Sequence, residues 1–569
     1  MIDPAAEKVA EKFKEKPTVE AAVRQALAQV YERIGRGDLA LPHAREALAI
    51  RRRTVGGRHP DTLKTLTFLG SVLRHTGKLD EAEPVSREAL AANRQVSGDD
   101  HLDTIESMTG LALVLDARGK SGGAEAEALL RESLERSRRA HGDDAELTVM
   151  SLNNLGWLLQ ARGQLDVAEP LLREAMDRGR RALGADYRGT IRAIHNMGVL
   201  MRERGKFTGS EQFERESLER SRRVLGDEHP ETVQVITDVA GLLMDQGNFD
   251  DAEPLIREAL ERRTRVLGED HPDTLSSLNN LGVFLFRWGR LEEAEPLARE
   301  AVERHTRILG EDHPDTLTSL TNLGMVLMHR GRLDEAEPML GDALLRIRRT
   351  MGEDHLLTLQ PLLNLGDLRH LQKRFDEAEK LYQELFERTG RVLAADHPLR
   401  LTAMFQLGSF LRERNKLDEA EPLLREVLVR RRKSLGDSHY ETLYAARSLA
   451  TLLGSQGKLE EAGLLLRQVL PQSQQAINNA SIPVAGARID LGRMLIELAR
   501  YGEAETELLE ADRLYDLSPG VSARRRERCV QALIRLYDAW EKSDPGNGYD
   551  AKAATWRAKL PKPPPQASP

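Results

Sequence analysis

A phrase that recurs every 42 residues constrains this chain more than any other feature of its sequence. The stretch from Val266 to Arg307, VLGEDHPDTLSSLNNLGVFLFRWGRLEEAEPLAREAVERHTR, is followed at once by ILGEDHPDTLTSLTNLGMVLMHRGRLDEAEPML. A fixed period of this length predicts one supersecondary unit per repeat, stacked on its neighbours in a single array. Every step between aligned positions is 42 residues, except one of 44 after His101; the positions are His59, His101, Ala145, Tyr187, His229, His271, His313, His355, His397 and His439.

Each unit is predicted to contain two helices. Leu278, Leu281 and Leu285 recur at helical spacing, and Gly289 follows as the left-handed residue that often ends a helix. The second helix is expected to open with a capping box, for which Asp334 and Glu337 have the right spacing. A proline comes next, near enough to the helix start to disturb few hydrogen bonds. Small residues that let the paired helices approach closely are Gly282, Gly324, Gly366, Ala294 and Ala301.

The period defines the domain organisation. About twelve units fit between residues 17 and 510, and we expect them to form one continuous all-α solenoid. Residues 1–16 are predicted to form an N-terminal helix, and residues 511–560 a degenerate capping hairpin. The proline-rich tail, residues 561–569, is predicted to be disordered.

Two resemblances to known families follow from these residues. Leu281-Gly282, Gly289, Ala294 and Ala301 resemble the tetratricopeptide repeat, and the 42-residue period with LGEDHPDT and LNNLG is similar to its kinesin-light-chain variety. That resemblance implies a right-handed superhelix of antiparallel helix pairs whose first helices line a concave groove that holds cargo peptides. The N-terminal AAEKVAEKFKEKPTVEAAVRQALAQVY is similar to the start of repeat regions that follow the kinase domain of some bacterial serine/threonine kinases. The arginine- and alanine-rich composition agrees with a bacterial origin.

Composition disfavours several classes of partner. The net charge is −8 and the pI about 6.1, which gives no general attraction to nucleic acid or anionic membranes. The arginine runs that close the second helices follow segments rich in glutamate, so we expect ion pairs there. Cys529 is the single cysteine, which excludes an intrachain disulfide framework. Because no secretory or membrane-spanning apolar run is present, we expect a cytoplasmic protein with neither a nucleic-acid nor a membrane partner.

No catalytic, metal or cofactor site is predicted. Asp270, His271 and Asp273 could in principle bind a metal ion, but one imidazole per unit does not converge with others on a single ion. The phrase is better explained as the start of a helix, with a capping side chain and a proline in the first turn. Gly119-Lys120-Ser121 lacks the glycine of a P-loop, since Val114 stands in its place. We therefore expect a protein without enzymatic activity.

The remaining signal lies on the face of the first helices that does not pack against the second. At about 100° per residue, this arc contains large apolar side chains interleaved with polar ones, and a column of asparagines runs along its edge. The apolar groups could pack within the solenoid itself, or they could anchor a ligand whose backbone the amides bind. The candidate binding residues are Asn153, Asn154, Trp157, His195, Asn196, Arg202, Asn279, Asn280, Phe286, Asn322, Met325, Met328, Asn364, His370, Phe405 and Arg412.

The function predicted from the sequence is a scaffold that binds a peptide segment or a partner protein in the concave groove. A first alternative is a regulatory or sensor region that works with a bacterial signalling serine/threonine kinase. A second alternative is a structural spacer.

Overall fold

The computed structural model describes residues 9–13, 15–118, 122–437, 439–476, 481–518 and 521–560. This part of the chain is helical without strands, which confirms the all-α prediction, and it contains twelve successive helix pairs between Pro17 and Asp516. Gly119-Lys120-Ser121, the tail 561–569 and most of the predicted helix 1–16 lie outside the described residues. The α-helices are Val9–Lys12, Pro17–Arg33, Gly37–Thr54, Pro60–His75, Leu79–Ser97, Leu102–Ala117, Gly123–His141, Glu146–Ala161, Leu165–Arg178, Arg188–Glu203, Phe207–Leu225, Pro230–Asp245, Phe249–Leu267, Pro272–Trp288, Leu291–Leu309, Pro314–His329, Leu333–Met351, Leu359–Leu371, Phe375–Val392, Pro398–Glu413, Leu417–Leu435, Tyr440–Ser455, Leu459–Ala476, Ser481–Glu497, Tyr501–Asp516, Ala523–Ser543 and Tyr549–Arg557.

The repeated histidine is the N-cap of the first helix. At His271 the backbone is extended, and the imidazole Nδ1 accepts a hydrogen bond of 3.2 Å from the backbone N–H of Asp273. Pro272 occupies the first helical position, where no intrahelical donor is required. The prediction that the phrase marks a helix start is confirmed. The same bond forms at all eight cap histidines, which are His59, His101, His229, His271, His313, His355, His397 and His439.

The capping box predicted for the second helices is wrong. The helix begins at Leu333, one residue before Asp334, and the residue at its N-cap is Arg332, which makes no side-chain capping bond. The physical reason is the tight turn between the helices, in which the N–H of Arg332 donates to the carbonyl of Leu327 at 3.0 Å and starts the second helix early. Asp334 therefore lies inside the first turn, where its charge still favours the helix dipole. Pro338 lies further inside the helix than the sequence suggested.

Close approach of the two helices depends on glycine. Gly289 ends its helix with φ of 83°, as predicted. A Cβ built at Gly156 would lie 2.7 Å from the side chain of Leu172, and one at Gly324 would lie 2.7 Å from that of Leu340. Gly282 is less tightly packed, since the nearest atom to an added Cβ is the backbone nitrogen of Ala298 at 3.7 Å. The prediction that small residues let the helices approach closely is therefore confirmed at Gly324, whereas Gly282 leaves more space between its two helices.

The chain divides into two compact units. The first contains residues 1–202, 206–381 and 390–394, and the second contains residues 203–205, 382–389 and 395–569. One continuous solenoid over residues 17–510 stays a prediction. No helix in the described ranges combines the length and apolar character needed to cross a membrane.

Candidate ligand-binding face

The first helices of the first unit present one side to the second helices and another side away from them. We name the latter the first-helix face and define it by the positions 9 and 12 residues after each cap position. In the repeat capped at Ala145 these are Asn154 and Trp157, whereas Leu155, Leu158 and Leu159 are buried in the core on the other side. The helical period of 3.6 residues therefore separates the packed side from the open one.

Five of the predicted binding residues are buried. Asn153, Asn154, Asn279, Asn364 and Met328 each expose less than a tenth of their surface. Burial at these positions leaves little surface for a ligand to contact. These five side chains are therefore not expected to contact a ligand, although Asn154 occupies a position of the first-helix face.

Several predicted asparagines hydrogen-bond with one another between successive first helices. Asn196 Nδ2 donates to Asn153 Oδ1 at 2.9 Å, and Asn322 Nδ2 donates to Asn279 Oδ1 at 3.2 Å. These bonds satisfy buried amides and fix the spacing of neighbouring repeats. Asn280 is different, because its side chain is exposed, although its neighbour in the chain, Asn279, accepts the bond from Asn322.

An apolar row runs along the same face. Trp157 is 40% exposed, and the members in the other repeats are half-buried. Sequence reasoning selected Trp157 and Met325 but did not select the aliphatic members of the row. The signal that could have found them is their register, because each lies 12 residues after a cap position. The apolar row consists of Leu113, Trp157, Val199, Val283 and Met325.

His195 is held inside a network of carboxylates. Its Nδ1 lies 3.1 Å from Glu214 Oε2, and its Nε2 lies 3.3 Å from Asp238 Oδ2. Burial of the ring would lower the pKa of His195, but the hydrogen bonds to Asp238 and Glu214 outweigh it and raise the pKa to about 10. The ring is thus a charged bridge between three helices, and both of its nitrogens are occupied by protein atoms.

The two carboxylates of this bridge were missed by the sequence reasoning. Glu214 is fully buried, at a core position where another repeat has Leu172. Asp238 lies 9 residues after its cap, in the register that Asn196 and Asn280 occupy elsewhere. Comparison of the repeats at these two positions would have revealed both substitutions.

The other predicted residues of the first unit are partly engaged. The ring of Phe286 packs edge-on against His329 with centroids 4.8 Å apart. Arg202 Nη1 donates to the backbone carbonyl of Asp238 at 3.0 Å. His370 contacts Phe375, with ring centroids 5.8 Å apart. Phe286, Arg202 and His370 are half-buried and have partners within the protein.

Two predicted residues belong to the second unit. Phe405 is half-buried, and the guanidinium of Arg431 lies 5.1 Å from its ring centroid. Arg412 is half-buried as well, with its Nη2 3.5 Å from a carboxylate oxygen of Glu413. Both have intramolecular partners, and their role in binding stays a prediction.

The second helices of the first unit carry a different pattern. Arginines on one second helix pair with glutamates on the second helix of the following repeat, most of them 36 positions later. Arg138 pairs with Glu174 at 2.7 Å, and Arg222 pairs with Glu258 at 2.8 Å. Arg52 and Glu88 form the same pair, and both side chains are largely exposed. Pairs with a glutamate of the preceding segment, which the sequence predicted, form as well, as between Arg262 and Glu258 at 2.7 Å. No group of three or more histidine, cysteine, aspartate or glutamate side chains among the described residues is arranged to hold a metal ion.

Comparison with known families decides the identity of the repeat. The tetratricopeptide repeat model matches residues 19–92, 63–125, 122–180, 234–305, 277–327, 316–391, 359–428 and 399–475, and a second model of that repeat matches residues 190–231. The chain belongs to the tetratricopeptide repeat family. Proteins built from these repeats generally act as scaffolds for protein interaction.

Solved structures are similar to parts of this tetratricopeptide repeat protein. The nearly identical repeats of a kinesin-light-chain protein from Podosopora anserina are 24% identical, cover 37% of this chain and 99% of their own, and have a TM-score of 0.32. BtubC (BKLC) from P. vanneervenii is 25% identical, with coverages of 41% and 93% and a TM-score of 0.35. A search of curated proteins gives no match.

Proposed function

We propose that this protein binds an extended segment of a partner protein along the first-helix face of its first unit. The observation that carries the proposal is the exposure of Trp157 in line with the half-buried Val199, Val283 and Met325. A large aromatic side chain that is 40% exposed among other apolar groups is the kind of residue that anchors a protein interface.

The residues beside the apolar row suit a peptide backbone. Asn280 exposes its amide, which can donate to one carbonyl and accept from one N–H of an extended chain. The five members of the apolar row are uncharged, whereas Ser71, Gly241 and Asp367 occupy the same register in other repeats of the first unit. The row therefore favours a segment that places apolar side chains towards its members. Neighbouring helices lie about 10 Å apart, and an extended chain advances about 3.3 Å per residue, so roughly one ligand side chain in three would meet the row.

The proposal can be tested with a displayed library of unstructured peptides. Selection on the parent protein is expected to enrich sequences with apolar residues near every third position. Trp157→Ala is expected to lose that enrichment. Leu345→Ala is the matched control, because Leu345 is 66% exposed on a second helix. Equal enrichment on the parent and the Trp157→Ala variant would contradict the proposal. Capture of a signalling serine/threonine kinase through another surface would instead favour the regulatory alternative.

A further inference from the structure

The turn between the two helices of an early repeat contacts the caps of much later repeats in the first unit. Gly35 lies in such a turn with φ of 81°. A Cβ added there would lie 3.4 Å from Leu267 Cδ2 and 3.5 Å from Pro230 Cγ. A Cβ added at Gly77 would lie 3.9 Å from His313 Nε2. The first unit therefore coils far enough for its later repeats to touch its earlier ones.

The register of these contacts is constant. Gly35 and His271 are 236 positions apart, and so are Gly77 and His313. In the second unit, a Cβ on Gly205 would collide with the ring of His439, 234 positions later. The first two contacts span the single 44-residue step of the repeat, which follows His101, and the third contact does not. The separations therefore differ by two positions. The contact therefore recurs with the repeat. At each of the three sites, a turn between paired helices meets the cap of a later first helix.

Both nitrogens of the His271 ring are occupied when the ring is neutral. Nδ1 accepts from the backbone N–H of Asp273 at 3.2 Å. The ring also makes a hydrogen bond with the backbone of Gly35 that favours the protonated ring, so the ring is the donor and the Gly35 carbonyl is the acceptor. Only the neutral tautomer with its proton on Nε2 satisfies the helix cap and the earlier turn together.

Four of the cap histidines differ in the exposure of their side chains. The side chains of His59 and His101 are 42% and 50% exposed. Those of His313 and His271 are 33% and 14% exposed, although their caps have the same local geometry. The least exposed of the four, His271, is the one whose ring bonds with the backbone of an earlier turn.

We propose that the caps at His271 and His313, together with Pro230, form a turn clamp, which holds the later repeats of the first unit against the earlier ones and releases them in acid. The capping function uses Nδ1 alone, and any N-cap residue could supply it. The clamp uses the second nitrogen and the apolar walls formed by Leu267 and Pro230, which a smaller cap residue would not replace.

Acid acts on His271 at Nδ1, because Nε2 carries its proton in the neutral ring as well. Protonation of Nδ1 replaces an acceptor with a donor that faces the N–H of Asp273, so the capping bond is lost. The charged groups around His271 are Asp273 on its own helix and Asp38 and Arg36 from the earlier turn. Those around His229 are Glu231, Arg188, Glu32 and Arg33. Asp315 and His305 lie near His313.

The direction of the pH effect follows from burial. Burial lowers the pKa of His271 and of His229 below the ordinary value of 6.5. A group whose pKa is depressed in the closed form stabilises that form fully above 6.5 and loses the contribution as the pH falls below it. The clamp is therefore expected to be closed at pH 7.5 and to open towards pH 5.

The distance across the clamp can be measured with two spin labels. Ala49→Cys introduces an exposed thiol on the helix that follows the Gly35 turn, and Glu269→Cys introduces one just before His271. Burial raises the pKa of Cys529 to about 12, so the native thiol resists labelling under the same conditions. Electron–electron distance measurements on the full chain are expected to give one narrow distribution at pH 7.5 and a broader, longer one at pH 5.

Matched cap substitutions test the assignment. His271→Asn with His313→Asn keeps good N-caps but shortens the side chains, and is expected to give the broad distribution already at pH 7.5. His59→Asn with His101→Asn changes the same phrase in the first two repeats and is expected to leave the distribution and its pH response unchanged.

Leu267→Ala removes one of the two apolar walls without altering a cap, and it should also broaden the distance distribution. Circular dichroism checks that each variant remains helical. A narrow distribution in the His271→Asn/His313→Asn and Leu267→Ala proteins at pH 7.5 would overturn the clamp. A narrow parent distribution at pH 5 would overturn its release in acid.

Discussion

The two faces of the first unit differ in how their side chains are satisfied. On the second helices, exposed arginines pair with glutamates of the neighbouring repeat, as Arg138 does with Glu174. On the first-helix face, charge is confined to networks such as that of His195, while the apolar row remains partly open to solvent. The charges of the second helices are thus satisfied within the protein, whereas the first helices leave apolar surface open to solvent, which is the surface that we propose for the ligand.

The largest loss of stability is expected when the charged ring of His195 is removed from the first-helix side. His195→Ala leaves the fully buried Glu214 without its partner, which is expected to cost about 3–5 kcal/mol of local stability. Denaturant unfolding at pH 7, followed by tryptophan fluorescence and hydrogen exchange, should show loss concentrated in the neighbouring repeats. Unchanged exchange around helix Arg188–Glu203 would mean that the bridge contributes nothing to the first-helix side.

The same histidine predicts a pH dependence. Its pKa is raised from 6.5 to about 10, so its stabilising contribution is fully present below pH 6.5 and is lost as the pH rises through 10. Denaturant midpoints of the parent protein should therefore fall between pH 7 and pH 10.5, and the His195→Ala variant should show a smaller fall. Parallel curves for the two proteins would refute the charged bridge.

Removal of one exposed apolar group on each face should separate binding from folding. Trp157→Ala is expected to weaken a selected peptide by about 2 kcal/mol or more, roughly thirtyfold in Kd, because buried aromatic anchors dominate interfaces. Leu345→Ala on a second helix should leave Kd within about twofold of the parent, since Leu345 lies outside the proposed surface. Fluorescence anisotropy with a labelled peptide measures both, and the reverse ranking would place the binding surface on the second helices.

A methyl group added at a glycine between paired helices should change stability in opposite directions in two repeats. Gly324→Ala places a Cβ 2.7 Å from Leu340 and is expected to destabilise its repeat by about 1–3 kcal/mol. Gly282→Ala meets its nearest atom at 3.7 Å and is expected to be neutral or stabilising by up to about 1 kcal/mol, because alanine favours the helix. Thermal melts compare the two variants, and equal shifts would show that the packing of the repeats is more uniform than the structure indicates.

The smallest effect is expected for an exposed ion pair on the second helices. Arg52 and Glu88 expose 44% and 54% of their side chains, so Arg52→Ala should change stability by at most about 1 kcal/mol. Peptide affinity should not change. A large loss of affinity would show that the arginine side, and not the first-helix face, contacts the ligand.

Sequence periodicity predicted the repeat, the helix pairs and the histidine caps because each depends on residues close together in the chain. The start of the second helix was mispredicted because Arg332 takes part in a turn with Leu327, and a backbone conformation decided the boundary rather than the side chain of Asp334. The asparagine column was identified in sequence, but its bonding between Asn196 and Asn153 depends on the spacing of neighbouring repeats. The pairing of His195 with Glu214 required tertiary structure for the same reason.

The contact between Gly35 and His271 also has consequences for how the chain folds. Most contacts of a repeat array join neighbours in sequence and can form quickly in any order. A contact that joins residues 236 positions apart closes a long loop, and it can form only after the repeats between them have taken their positions. During refolding, we therefore expect the helical signal to recover before the Gly35 turn reaches the His271 cap. Closure of the coil should appear as a separate late phase.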